Sequence, residues 1–246
     1  NLTYDDQKGE IICNECGSRT IRKKVCEKCK AINELIQENC VKCGEPIKEF
    51  SKKPIDLIKI TKKASTNLGM KMPELVKGVV GLLSDEKTAE PMEKGFLRAK
   101  HDVHLFRDGT IRFEMLGAII THFKPGEINL SIEKLKELGY VCDKDGNPIE
   151  NEEQIIEMFP QDLIMNEGAG DYFVKVAKFI DELLLKFYDG EPYYNVNVKE
   201  DLIGHLVLGL APHTSAGMVG RILGYSQARL LFNHPFYETA KRRNVD

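Results

Sequence analysis

Six of the seven cysteines fall within the first 43 residues, as three Cys-x-x-Cys pairs: Cys13/Cys16, Cys26/Cys29 and Cys40/Cys43. A Cys-x-x-Cys turn presents two thiolates to one ion, and two such turns complete a tetrahedron, so the pattern points to Zn²⁺. Gaps of nine and ten residues between pairs suit short ribbon loops. Gly17 and Gly44 each follow a second cysteine, where a knuckle turn favours positive φ. Six thiolates fill one four-thiolate site and half of another. Cys26/Cys29 with Cys40/Cys43, and Cys13/Cys16 with Cys26/Cys29, are both open pairings. The orphaned pair implies either a fourth pair before Asn1 or a lost site. An all-thiolate site leaves no open position for water, so the expected zinc is structural. Cys142 stands alone near Asp145-Gly146 and reads as a small core or surface thiol.

A second constellation runs from Asp201 to Gly217, where His205, His213, Thr214 and Ser215 sit in an apolar, glycine-rich frame. Ser215 and His213 are two residues apart and lack a nucleophile-elbow pattern, which argues against a hydrolase. Two readings stay open. The segment is tightly packed core, or it approaches a nucleotide or DNA backbone. The third constellation is Lys241-Arg242-Arg243-Asn244-Val245-Asp246: cations suited to phosphate, then a carboxylate suited to a hard metal ion. On its own it reads as a solvated helix end. His101, His104 and His122 read as packed or exposed histidines.

The elements that must position these groups follow from pattern. At 246 residues, 42% hydrophobic and 30% charged, the chain is globular in composition and spans one or two domains. No apolar run is long enough to cross a membrane, and Leu202–Leu210 is interrupted by His205. No signal peptide is visible, and Asn1 in place of Met suggests a piece of something longer. Clustered thiols without a secretion signal imply a reducing, cytoplasmic setting. The net charge of −3 is uneven: residues 1–63 carry 14 Lys+Arg against 10 Asp+Glu, 131–201 carry 7 against 17, and 202–246 carry 5 against 2. A polyanion would therefore meet the two ends.

The chain divides into a cysteine-rich zinc-ribbon unit (1–50), a basic connector (51–63), a mostly β part (64–130), an acidic helical region (131–200) and a glycine-rich segment (201–246). Val76–Gly81 is β-branched, and Phe106–Phe113 reads as two strands around Asp108-Gly109. Ser131 can cap a helix through Leu138. Asp171–Tyr188 carries apolar residues at three-and-four spacing, a helix with one buried stripe. Pro235 can start a last helix. The fold class is α+β.

Long segments of this sequence resemble the large, catalytic subunit of the archaeal family-D DNA polymerase. They include Asp201–Gly217, Val219–Gly224, His234-Pro235, Ala240–Asn244, Val76–Val79, Glu93–His101, Asp108–Phe113 and Thr121–Pro125, together with the upstream Cys pairs. That family is much longer, so the chain looks like an internal fragment. The resemblance implies a core of double-psi β-barrels, and a replicative, DNA-directed DNA polymerase in the parent. In the family a basic run leads into Asn-x-Asp-Gly-Asp, whose two Asp residues hold catalytic Mg²⁺. Asn244 and Asp246 match the Asn and first Asp; the remaining Gly and Asp are not in this sequence, so the fragment alone is expected to be inactive. Lys241, Arg242, Arg243, Arg221 and His213 become the candidate DNA or substrate contacts. The implied partners are primer-template DNA, dNTP, a small nuclease subunit carrying the associated 3′–5′ exonuclease, and a sliding clamp. The competing reading is a non-catalytic zinc-ribbon module for nucleic-acid binding or subunit assembly; a third is an RNA polymerase-like subunit.

Overall fold

The computed structural model describes residues 2–5, 10–13, 17–20, 23–48, 56–78, 90–210 and 217–241. It forms two compact units, 1–56 and 57–246. Among the described residues no helix is long and apolar enough to cross a membrane.

The first unit is built from very short strands. β1 (Leu2–Asp5) and β2 (Glu10–Cys13) pair antiparallel, and β2 pairs with β3 (Arg19–Thr20). β4 (Lys24–Val25) pairs with β5 (Ile32–Asn33). In that hairpin Lys24 and Asn33 are buried, while Val25 and Ile32 are exposed. Asn33 then ties the hairpin to the next turn: its Oδ1 accepts from the Val41 N–H at 2.9 Å. The described hydrophobic core here is only Cys26, Cys40 and Ile47, with Cys29 and Ala31 packed against it.

The second unit contains α1 (Leu57–Leu68), α2 (Met92–Lys100), β6 (Leu116–Ile119), β7 (His122–Phe123), α3 (Ile132–Glu137), β8 (Ile156–Glu157), β9 (Asp162–Asn166), α4 (Glu167–Phe187), β10 (Leu206–Leu210), β11 (Gly217–Ser226), β12 (Leu230–Asn233) and α5 (Pro235–Lys241). Five strands form one mixed sheet in the order β10-β11-β9-β12-β6. β11 runs parallel to β9, β12 parallel to β6, and the other two pairings are antiparallel. The arrangement is a half-barrel sheet. Its central strand β9 is buried from Asp162 to Met165. β7 and β8 form a separate two-stranded ribbon.

α4 grows directly out of β9. Asn166 ends the strand and caps the helix, its Oδ1 accepting from Gly168 N–H at 2.9 Å. The expected helix is present, but its apolar stripe is not uniformly buried: Ala177 is buried and the other stripe residues are half-buried, whereas Val174 and Phe179, outside the stripe, are buried. The reason is that α4 has two partners. One side lies on the sheet; the other meets α1 and α2 around Ala64, Leu68, Phe96, Leu97 and Val103. α3 starts as expected, with Ser131 Oγ accepting from Lys134 N–H at 3.2 Å.

Two local expectations differ. Phe106–Phe113 makes the turn at Asp108-Gly109 but no strands flank it. The Asp108 carboxylate bonds Thr110 N–H, the Thr110 hydroxyl and Arg112, and these local bonds take the place of a ladder. The stretch from 57 onward, read as connector for its charge, is helix α1, because Ala64 and Leu68 recur at helical spacing and are buried. The 64–130 stretch likewise contains α2. Half of Val76–Gly81 lies outside the described residues; Val76–Gly78 is not strand.

α2 and α4 are joined by one carboxylate. Glu182 receives both Lys100 Nζ and His101 Nε2, at 2.7 and 2.6 Å, and pairs with Lys186 at 2.7 Å. Burial alone would raise its pKa, but Lys100, Lys186 and His101 outweigh burial and pull it down to about 2. A depressed carboxylate stabilises the fold above its unfolded pKa and loses that contribution as pH falls toward the folded value. Glu182→Gln should therefore cost on the order of 1 kcal/mol at pH 7, allowing for solvent screening. In urea denaturation the gap from wild type should close between about pH 4.5 and pH 2.

Candidate metal centre and the C-terminal segment

Of the two pairings left open by spacing, the structure assembles Cys26/Cys29 with Cys40/Cys43. Their four sulfurs all lie within 4.8 Å of one another. Cys26 and Cys43 Sγ are 3.6 Å apart, and Cys29 and Cys40 Sγ are 3.4 Å apart. An ion bound at about 2.3 Å by four sulfurs requires tetrahedron edges of about 3.8 Å. The cluster is thus close to that size and consists only of soft donors, which could hold a metal such as zinc.

Each knuckle uses the same backbone device. Lys30 N–H donates to Cys26 O and Gly44 N–H to Cys40 O, at 3.0 and 2.9 Å. The residue after the second cysteine is left-handed in both, with φ of 60° at Lys30 and 69° at Gly44. The first pair begins the same turn: Gly17 N–H donates to Cys13 O at 2.8 Å and Gly17 has φ 68°. Cys16 lies outside the described residues. The thiols are electrostatically unequal. Burial opposes ionisation of Cys40, but the Lys42 and Cys43 N–H groups and the Cys29 and Cys43 thiols bring it down to about 6. At Cys43 the bond from Glu45 N–H favours the thiolate, yet burial and the neighbouring sulfurs push it up to about 12. Four sulfurs this close do not all carry charge without a cation among them.

In the second unit a fully buried charge stands at the head of β9: Asp162, 0% exposed. Arg221 on β11 grips it with Nε at 2.7 Å and Nη2 at 2.8 Å, and donates Nη1 to Leu138 O at 2.9 Å. Tyr140 OH donates to the same carboxylate at 2.6 Å and accepts from Phe159 N–H. Burial and the Asp162 charge push the Tyr140 pKa well up, while Asp162 raises that of Arg221. Arg221, a sequence candidate for contact with DNA, thus has its guanidinium committed within the fold. Sequence reading missed Asp162 and Tyr140. The available signal was an acid opening the apolar run Leu163-Ile164-Met165, a strand that is buried on both faces.

In the described part of the glycine-rich segment, Gly209 and Gly220 pack closely against side chains. A Cβ on Gly209 would stand 2.2 Å from the Tyr237 hydroxyl oxygen, and one on Gly220 would stand 2.3 Å from Leu163 Cδ1. The hydroxyl donates to Met218 O at 3.1 Å. One turn on, Lys241 is buried, pairs with Glu238 at 3.3 Å and stands over the Tyr237 ring at 5.5 Å. Glu238 also accepts from Asn233 Nδ2 at 2.8 Å. Lys241 is therefore an interior cation at the last described residue of α5. His213, Arg242, Arg243, Asn244 and Asp246 lie outside the described residues. His205 lies on a strand-entry turn against the Tyr194 ring.

The half-barrel sheet with α5 at its end, preceded in the chain by a cluster of four cysteines that could hold a metal, defines a mixed α/β protein. The family described as DNA polymerase II large subunit DP2, catalytic domain, matches residues 69–246, and the chain belongs to it. It is 49% identical to the DNA polymerase II large subunit of Pyrococcus horikoshii, over 96% of this chain and 17% of that protein. The large subunit of Archaeoglobus fulgidus is 47% identical over 99% of this chain and 23% of its own length, and that of Methanothermobacter thermautotrophicus 45% over 94% and 21%. The chain spans about a fifth of the length of the curated relatives it matches.

Two measurements test these sites. Cys40→Ser should abolish the tetrahedral thiolate spectrum on Co²⁺ titration of the Cys26/Cys29/Cys40/Cys43 cluster and expose the unit to protease. Arg221→Met leaves Asp162 buried and without its cation and should cost about 3–5 kcal/mol in chemical denaturation; a loss below about 1 kcal/mol would contradict the role given to this pair.

Proposed function

We propose that this chain is part of the catalytic subunit of a replicative, DNA-directed DNA polymerase. The observation that carries the reading is the family match through 69–246, combined with a well-anchored α5 that ends at Lys241, immediately before Arg242-Arg243-Asn244-Val245-Asp246 in the sequence. The half-barrel sheet is read as part of a double-psi β-barrel, with 64–130, 131–200 and 201–246 as successive parts of one catalytic core. The thiolate cluster is read as a structural zinc ribbon over 1–50.

The roles follow from chemistry. Hard cations prefer oxygen donors, so Asp246 is the residue that would hold Mg²⁺, which activates a primer hydroxyl and stabilises the departing pyrophosphate oxygen. Arg242 and Arg243 are suited to bidentate phosphate contact beside it. Lys241, held inside by Glu238 and Tyr237, anchors the helix end that precedes those arginines. Asn244 is suited to bond the sugar or a water on the ion. His213 follows β10 and is assigned to the same substrate, while Arg221 supports the sheet. The substrates are primer-template DNA and dNTP. A small nuclease subunit carrying the 3′–5′ exonuclease, in a heterodimer, and a sliding clamp are the partners this reading assigns, in the cytoplasm.

In the intact large subunit with its partner, Asp246→Ala should reduce primer extension by about a thousandfold or more while leaving DNA binding in Ca²⁺ within about threefold. Near-normal extension would remove Asp246 from the site. The 246-residue piece alone should extend no primer, since one carboxylate cannot neutralise two divalent ions.

A further inference from the structure

A cleft of about 350 Å³ beside the start of α5 takes no part in the reading above. One wall is 139–143, the other 157–160, and His234 and Phe236 close its end. His234 is only 8% exposed. Its Nδ1 accepts from Phe236 N–H at 3.2 Å, which leaves the proton of the neutral ring on Nε2. Nε2 has no partner among the described residues, so a nearly buried ring offers one unused N–H to the cleft. The rim is apolar and open: Val141 is 75% and Phe236 70% exposed. Beneath it the Tyr140 and Phe159 rings are stacked at 4.2 Å. Large apolar side chains left in water around a groove mark a contact surface.

Charge selects the occupant. The charged side chains lining the cleft are Asp143 and Glu157, both acidic. Bonds from Gln154, and from Asn147 and Asp145, hold Asp143 ionised well below neutral pH, with a pKa of about 2. Glu157 is exposed, and no cation among the described residues pairs with it. Nucleic-acid phosphates are repelled by such a rim, whereas an extended peptide fits it. A backbone carbonyl would accept from His234 Nε2, an apolar side chain would lie across Phe236 and Val141, and a cation would meet Glu157 and Asp143.

We propose that this cleft docks an extended segment of a partner protein in which a Lys or Arg neighbours a large apolar residue. The test uses the intact large subunit and two fluorescein-labelled octapeptides of alternating Leu and Arg or alternating Leu and Glu. The basic peptide should bind by anisotropy and slow N-ethylmaleimide modification of Cys142, the exposed thiol of the same cleft. Phe236→Ala should weaken it about tenfold or more and Glu157→Gln about threefold, both substitutions being at exposed positions. The proposal is overturned by any of four results. These are equal binding of the acidic peptide, indifference to Phe236→Ala, displacement of the peptide by a single-stranded oligonucleotide, or a Cys142 already unreactive in the free subunit. The last would mean that the subunit's own chain fills the cleft.

Discussion

A carboxylate with no exposure to water persists only if its charge is met inside the protein, and Asp162 is met three times. Arg221 closes two parallel bonds on it and Tyr140 a third. Because Asp162 heads β9 and Arg221 sits on β11, the pair fixes which residues of these parallel strands face each other, Arg221 opposite Asp162. The remaining Arg221 donor reaches Leu138 O at the end of α3, and Tyr140 also receives Phe159 N–H. One ionic contact thus sets strand register and seats the α3 end on the sheet. Slipping that register by one residue would bury the opposite set of side chains and strand the charge.

The first unit is organised differently: among its described residues the core is Cys26, Cys40 and Ile47, and four thiols that could hold one metal ion stand together there. The repeated knuckle shows how the chain achieves this. A left-handed residue four positions after the first cysteine folds the backbone back, and the N–H groups around the turn point at sulfur or carbonyl oxygen. Glycine occupies that position at 17 and 44, and Lys30 tolerates it in the middle pair.

Toward the C-terminus, packing and chemistry share residues. Tyr237 needs the room that glycine provides at 209, while Gly220 makes room for Leu163 beneath the same ring. This fit and the Glu238–Lys241 pair hold the last described turn in one orientation.

The sequence by itself carried several features that depend on near neighbours. The thiolate pairs and their turns, the Ser131 cap, the apolar stripe of α4 and the start of α5 at Pro235 are local, and each follows from residues only a few positions apart. The resemblance of its longer segments carried the family. What the sequence withheld is what depends on who packs against whom. Whether Cys26/Cys29 joins the pair before it or after it, why Phe179 is buried off the stripe, and why Arg221 turns inward to Asp162 are set by contacts between residues far apart in the chain. The same holds for Gly209, since an open backbone for a ligand and a socket for a tyrosine ring have one local signature. Only the folded chain, by bringing Tyr237 to within contact of Gly209, distinguishes them.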